Sequence, residues 1–305
     1  TAVAVLRQVI EVAWSLERHQ EAIRYALKAA EVAPSNAELL ERLAAFLADE
    51  KDVRQAIALY EKAIELRKGQ EKTVPYVHAH ALLARLYARQ EDFPKAARAF
   101  DVVLAALDKP DDYGLRGRAK TQLEGDEGVT YALIGETYLR ADRIDDADAA
   151  FERAFKRSGE AALRAYHRAQ VAEKRKRYDE ALRLLDEYLA AESDDAGVDP
   201  YELLRRVFAA RGKSAELPAK LESLLKQDPK NVPLRYFVAR HFRDAGDHAK
   251  AKPLYEELVR KAPTIDAYTG LLEASAATKD MVRQIEVLAE VAAKTGSLDA
   301  VKKFE

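Results

Sequence analysis

The sequence predicts an all-α fold, a solenoid of about eight helix–turn–helix repeats running through residues 1–305 as one array. Three observations predict it. A landmark residue recurs behind helix-start patterns at Ala22, Ala56, Ala96, Ala147, Ala181, Leu217 and Ala251, at intervals of 34, 40, 51, 34, 36 and 34 residues, and it is small everywhere except Leu217. The composition, 48% hydrophobic and 33% charged with only 12 Gly and 10 Pro, suits long amphipathic helices and argues against disorder. Apolar residues are spread at helical spacing, and no run approaches the roughly 20 residues that span a bilayer, so no membrane insertion is expected. In such an array each hairpin buries its apolar face against the next. It has no single globular core and no built-in active-site cleft.

The units fall at about 3–36, 37–70, 77–108, 128–160, 162–195, 198–231, 232–263 and 264–295, with an insertion at 109–127. The first closes with Ala29 and Pro34. The second carries Leu40, Leu43-Ala44, Leu47, Ala56, Tyr60 and Ala63. The third carries Leu83-Ala84, Tyr87, Ala96 and Phe100, with Pro94 in the first turn of its second helix, where the missing N–H costs nothing. The fourth reads Tyr131, Ile134-Gly135, Tyr138, Ala147, Phe151 and Ala154. The fifth runs through Ala169, Tyr178, Ala181 and Leu185, and the seventh through Val238-Ala239, Phe242, Gly246-Asp247, Ala251, Tyr255 and a closing Pro263.

In the fourth unit, Ile134, Gly135 and Tyr138 share one face of a first helix, and Ala147, Phe151 and Ala154 one face of a second. Small residues let the two helices approach, and Phe151 and Tyr138 fill the space beside that contact. Asp142 or Asp145 is expected to cap the second helix. The order aromatic-x2-L-G-x2-Y, then A-x3-F-x2-A, resembles the tetratricopeptide repeat, and the resemblance covers nearly the whole chain. It implies a right-handed superhelix whose first helices line a concave groove.

Two units depart from the pattern. The sixth has Arg205 and Leu217 where the others carry small residues, which predicts looser or rotated packing. The eighth lacks the motif but keeps amphipathic stretches around Ala267–Ala277 and Val282–Ala293. Two insertions break the period. Residues around Arg67 to Pro75 are expected to lengthen a helix before a loop. Residues around Lys109 to Gly128, rich in turn formers, are read as a surface loop with a helical turn or two between Leu115 and Leu123, or as a lid over the groove.

The chain offers little chemistry. Without cysteine there is no disulfide, thiol nucleophile or Cys-based zinc site. His78 and His80 are two apart on a helix and point to different sides; His241 and His248 straddle a turn and read as hydrated surface residues. The acidic run Asp142 to Asp148 lacks the glycine of a calcium loop. No phosphate-cradling or nucleophile-elbow motif occurs. No catalysis, cofactor or metal is expected. Thr1 at the start and the mid-pattern end at Glu305 suggest a segment excised from a longer protein, and no signal peptide is visible, so compartment and oligomeric state stay open.

The resemblance also implies which residues face the groove. The early units offer Glu11, Glu38, Glu41 and Asp49. Later units turn basic and aromatic: Arg85, Arg89, Arg140, Tyr166, Gln170, Lys174, Arg206, Tyr236, Arg240 and Tyr268. Arginines on neighbouring helices can grip carboxylates along an extended peptide, and tyrosines add flat apolar area with a polar tip. The expected partner is a protein or peptide, acidic in character. A carboxylate clamp for chaperone C-termini does not fit, because its positions hold Arg7, Glu11, Arg42, His78 and Leu82, without asparagine.

The leading expectation is therefore a protein-interaction scaffold. An RNA-reading helical array is the alternative from another class, disfavoured by a net charge of -2 and by groove positions that vary between units; no nucleic-acid partner is expected. A substrate-recruiting or regulatory region of a larger enzyme is the third reading.

Overall fold

Wherever the turn residue is described, the chain turns in the same way between the two helices of a hairpin. The computed structural model describes residues 2–49, 52–125, 128–191 and 197–295. They fall into two compact units. The first, residues 1–160, holds α1 (Ala2–Ser15) with α2 (His19–Val32), α3 (Ala37–Asp49) with α4 (Val53–Leu66), α5 (Val74–Arg89) with α6 (Phe93–Asp108), a short α7 (Gly117–Glu124), and α8 (Val129–Arg140) with α9 (Ile144–Ser158). The second, residues 161–305, holds α10 (Ala161–Lys174) with α11 (Tyr178–Ala191), α12 (Asp199–Ala210) with α13 (Leu217–Gln227), α14 (Val232–Asp244) with α15 (His248–Lys261), and α16 (Ile265–Ala277) with α17 (Met281–Thr295). No strand occurs among the described residues, and no helix there is long and apolar enough to cross a membrane.

The common turn is a backbone device. Glu17, Glu91, Asp142, Lys176 and Lys279 take the left-handed conformation, with φ between 57° and 62°, and Gly212 and Gly246 do the same in their hairpins. The next residue's N–H then donates to the carbonyl five residues back: Arg18 to Ala13, Asp92 to Tyr87, Arg143 to Tyr138, Arg177 to Ala172, Lys213 to Phe208, Asp247 to Phe242 and Asp280 to Ser275. These bonds satisfy carbonyls at the helix end and offset the roughly 1 kcal/mol that a β-carbon costs in the left-handed region. Asp52, Asp92, Asp247 and Asp280 then cap the second helices by accepting from the amide three residues on, at 3.4, 3.2, 3.1 and 3.0 Å. The fourth unit corrects the sequence reading here. Asp142 supplies the left-handed turn residue rather than the cap, and the N-cap position holds Arg143.

The landmarks do what small residues at a helix crossing must. Ala22, Ala56, Ala96, Ala147, Ala181 and Ala251 are all 0% exposed. Four residues further on, Tyr60, Phe100, Phe151, Leu185 and Tyr255 are buried and fill the interface beside them. Tyrosines of the first helices reach back to the preceding hairpin. Tyr138 donates its hydroxyl to Asp101 of α6 at 2.7 Å, and Tyr87 donates to Glu61 of α4.

The sixth unit is built differently. α12 and α13 lack the long close approach that joins α10 to α11 and α14 to α15. Arg205 is exposed and paired to Glu202 at 2.9 Å, while Leu217 and Leu221 are buried in the core. The second helix there is shortened to 11 residues behind a 3-10 turn at Ser214–Glu216.

The first insertion departs from expectation; the second forms the helical turns expected between Leu115 and Leu123, but not as a surface loop. α4 is not lengthened: it stops at Leu66, and Arg67 folds back to bind both carboxylate oxygens of Glu41 at 2.6 and 2.9 Å. The longer insertion forms a 3-10 turn at Pro110–Tyr113 and then α7, whose contacts are with α5, α6 and α8. Leu115 and Leu123 are buried, and Glu124 pairs with Arg157 of α9 at 2.6 Å. The segment is therefore anchored between hairpins rather than looping out over the surface. The insertions also meet, Lys72 lying 3.8 Å from Asp112.

Candidate ligand-binding face

In the first unit the expected groove residues sit on the outer stripe of the first helices. α5 is buried on most sides by α4, α6 and α7. Between Val77 and Arg89 it leaves exposed only His78, Leu82, Arg85 and Arg89. Spacings of four, three and four residues place these on one face. Leu82 is 37% exposed, a large apolar side chain set against the two arginines. Arg85 and Arg89, one turn apart, have no carboxylate partner among the described residues. Arg140, also exposed, ends α8 with its guanidinium 4.6 Å from the centre of the Phe93 ring. The acidic positions before them are differently placed. Glu41 is consumed by Arg67, Glu38 pairs with Arg42 at 2.6 Å, and Glu11 and Asp49 are exposed.

In the second unit the expected residues are drawn into the protein's own contacts. Tyr166 is half-buried and packs its ring 5.0 Å from that of Tyr188. Gln170 holds a buried side-chain oxygen without a hydrogen-bond partner among the described residues. Lys174 is exposed. Arg206 of α12 pairs with Glu173 of α10 at 3.1 Å, and Arg240 of α14 pairs with Glu202 of α12. Glu202 also holds Arg205, and Arg240 lies 5.4 Å from the centre of the Phe237 ring. Burial pushes the Tyr236 hydroxyl to a higher pKa, helped by the charge of nearby Asp266. Arg243 of α14 reaches Glu273 of α16 at 3.3 Å.

Tyr268 requires correction. It is 6% exposed, a core residue of α16 whose hydroxyl accepts a bond from Lys294 at 2.7 Å, so the groove-facing register slips in the motif-poor last unit. The histidines differ too. His241 and His248 are half-buried, and burial lowers the pKa of His241, with Arg205 adding to the effect. Among the described residues no group of three or more His, Asp or Glu is placed to hold a metal ion.

Sequence reasoning missed Glu173 and Glu202 as partners of the groove arginines. Each lies 33 or 38 residues from its arginine, about one repeat away. Reading acidic residues one period apart from each arginine would have found them. Leu82 appeared in the sequence only as a mismatch to a carboxylate clamp, and His78 as that and as half of a poor metal pair; the structure makes both part of the open stripe.

Two family models described as tetratricopeptide repeat match the chain, one over residues 35–109 and the other over 133–196 and 238–298. No curated protein matches it. Among solved structures, a tetratricopeptide repeat protein from Parabacteroides merdae is 15% identical, with 99% of this chain and 96% of that chain covered and a TM-score of 0.48. MamA from Desulfovibrio magneticus RS-1 is 17% identical over 67% of this chain and 96% of that one, with a TM-score of 0.44. YrrB, described as having an unusual peptide-binding site, is 14% identical over 61% and 95%, with a TM-score of 0.36.

Proposed function

The chain belongs to the tetratricopeptide repeat family, whose arrays are in general non-catalytic scaffolds for protein interaction, and we propose that this one holds an extended acidic peptide segment along the outer faces of its first helices, with α5 as the main foothold. The observation that carries the reading is the stripe of His78, Leu82, Arg85 and Arg89: exposed, on one face, and with both guanidiniums unpaired among the described residues. Each guanidinium can take a carboxylate through two parallel hydrogen bonds, and Leu82 gives an apolar side chain of the ligand a place to rest. Arg140 extends the basic surface in the same compact unit, and Lys174 offers a further exposed cation in the other.

The test is fluorescence anisotropy with a labelled Glu- and Leu-containing decapeptide. Hydrogen bonds to charged groups contribute about 1.5–3 kcal/mol each, so Arg85→Ala with Arg89→Ala should weaken binding by roughly tenfold or more per arginine. A scrambled-charge peptide in which Lys replaces Glu should not bind. Equal affinity of the double variant and the parent for the acidic probe would refute the reading.

A further inference from the structure

The arginines expected to bind a ligand in the second unit are already occupied, and by carboxylates on neighbouring first helices. Glu173 on α10 meets Arg206 on α12 at 3.1 Å, and Glu202 on α12 meets Arg240 on α14. The pairing continues from α14 to α16 through Arg243 with Glu273 at 3.3 Å. Glu173 and Glu202 are three-quarters or more buried, at 17% and 25% side-chain exposure, while Arg206 remains 48% exposed. Arg240 is 33% exposed, so each carboxylate is more buried than the guanidinium it holds. On α5 of the other unit, Arg85 and Arg89 have no such partner among the described residues.

We propose that Glu173 and Glu202 are built-in competitors: they occupy Arg206 and Arg240 in place of a ligand's carboxylates and so keep a second acidic-peptide site in the residue 161–305 unit closed. The inference rests on the reading of the chain as an acidic-peptide scaffold and adds to it how the two units differ. A glutamate fixed on the adjacent helix competes without losing translational freedom, because its effective concentration is set by the fold. An incoming peptide carboxylate must displace it, and gains only the difference between two similar ion pairs. Neutralising the competitor removes that handicap and frees the donors of both guanidiniums. Glu202 also holds Arg205, so its neutralisation releases a third guanidinium.

The experiment uses the full chain and a labelled Glu- and Leu-containing decapeptide at low salt, with stoichiometry read by isothermal titration calorimetry. In Glu173→Gln/Glu202→Gln the number of peptides bound per chain should double relative to the parent. Adding Arg206→Gln and Arg240→Gln to that variant should return the stoichiometry to the parental value. In the parent background, Arg206→Gln/Arg240→Gln should leave binding unchanged. Glutamine keeps the size of the glutamates it replaces, and a circular-dichroism melt of each variant verifies the fold. Two results would overturn the proposal: unchanged stoichiometry in the Glu→Gln variant with its melt intact, or weaker parental binding after Arg206→Gln/Arg240→Gln. If the parent binds no probe but the Glu→Gln variant binds it through Arg206 and Arg240, the self-competition stands and the α5 foothold falls. If Arg85→Ala/Arg89→Ala abolishes binding while the Glu→Gln variant gains none, the foothold stands and the self-competition falls.

Discussion

Gly135 of α8 lies directly against the ring of Phe151 of α9, so close that a β-carbon there would be 2.5 Å from two ring carbons. A glycine inside a helix costs about 1 kcal/mol against alanine, so its presence here needs this contact as a reason. Phe151 is buried and cannot swing away. Gly135→Ala gains helix propensity, but overpacking typically costs about 1–3 kcal/mol, and the net expectation is a loss of roughly 1–2 kcal/mol. Gly135→Leu should lose more. Urea denaturation measures both, and a midpoint for Gly135→Ala at or above the parent's would mean that the helices can part freely.

Two buried tyrosines should respond in opposite ways to losing a hydroxyl. Tyr255 is 0% exposed and its hydroxyl has no hydrogen-bond partner among the described residues. Its ring faces Gly270, whose hypothetical β-carbon would be 2.3 Å away. Tyr138, equally buried, donates to Asp101 at 2.7 Å. An unsatisfied buried polar group costs about 1–3 kcal/mol, so Tyr255→Phe should be neutral to stabilising by up to that amount, whereas Tyr138→Phe should destabilise by about 1–3 kcal/mol through the lost bond to a charged acceptor. Thermal melts of the two variants decide it, and a destabilised Tyr255→Phe would show that the hydroxyl has a partner in solution.

The register of the array was legible in the sequence because burial acts at fixed steps. A residue such as Ala147 must be small wherever two helices cross, and the crossing recurs with the repeat. The odd sixth unit was legible for the same reason, since Arg205 and Leu217 cannot make that crossing. The turns were half hidden. Gly246 announces a left-handed residue, but Glu17, Glu91 and Lys176 adopt the same conformation with no local signal, imposed by the helices on either side. The basic face was the least legible part. Arg206 and Arg240 look free in sequence, and only three-dimensional neighbours, Glu173 and Glu202, reveal that they are not. In the same way Glu41 looked like a groove residue until Arg67 was seen to hold it.

His167 makes a prediction about acid stability. It is 3% exposed on α10, and burial pulls its pKa down to about 4 from an ordinary value of 6.5. The unfolded chain therefore takes up a proton at a pH where the folded chain resists it. The sign follows: this stability is fully present above about pH 6.5 and is lost as pH falls from there toward 4, up to about 3 kcal/mol. His80 and His241 are shifted in the same direction by burial and add to the slope. His167→Gln should flatten, but not abolish, the fall in unfolding free energy between pH 7 and 4.5. An unchanged pH profile in that variant would mean that His167 is solvated or already paired when charged.

The sixth hairpin allows the small-residue rule to be tested by breaking it. At every other landmark from the first unit to the seventh an alanine is 0% exposed, and enlarging one, as in Ala181→Leu, should overpack the α10–α11 crossing at a cost of about 1–3 kcal/mol. At position 217 the logic reverses. α12 and α13 lack the close approach of the other pairs, and Leu217 is 2% exposed, a large side chain packed into the core. Leu217→Ala would bring the sequence closer to the repeat pattern, yet it should leave a cavity and destabilise by about 2–5 kcal/mol. Only with Arg205→Gly in the same chain could the two helices close together, and the pair should then recover part of the loss, a coupling that a double-mutant cycle reads directly. If Leu217→Ala alone were neutral or stabilising, the spacing of α12 and α13 would be set by something other than the Leu217 side chain.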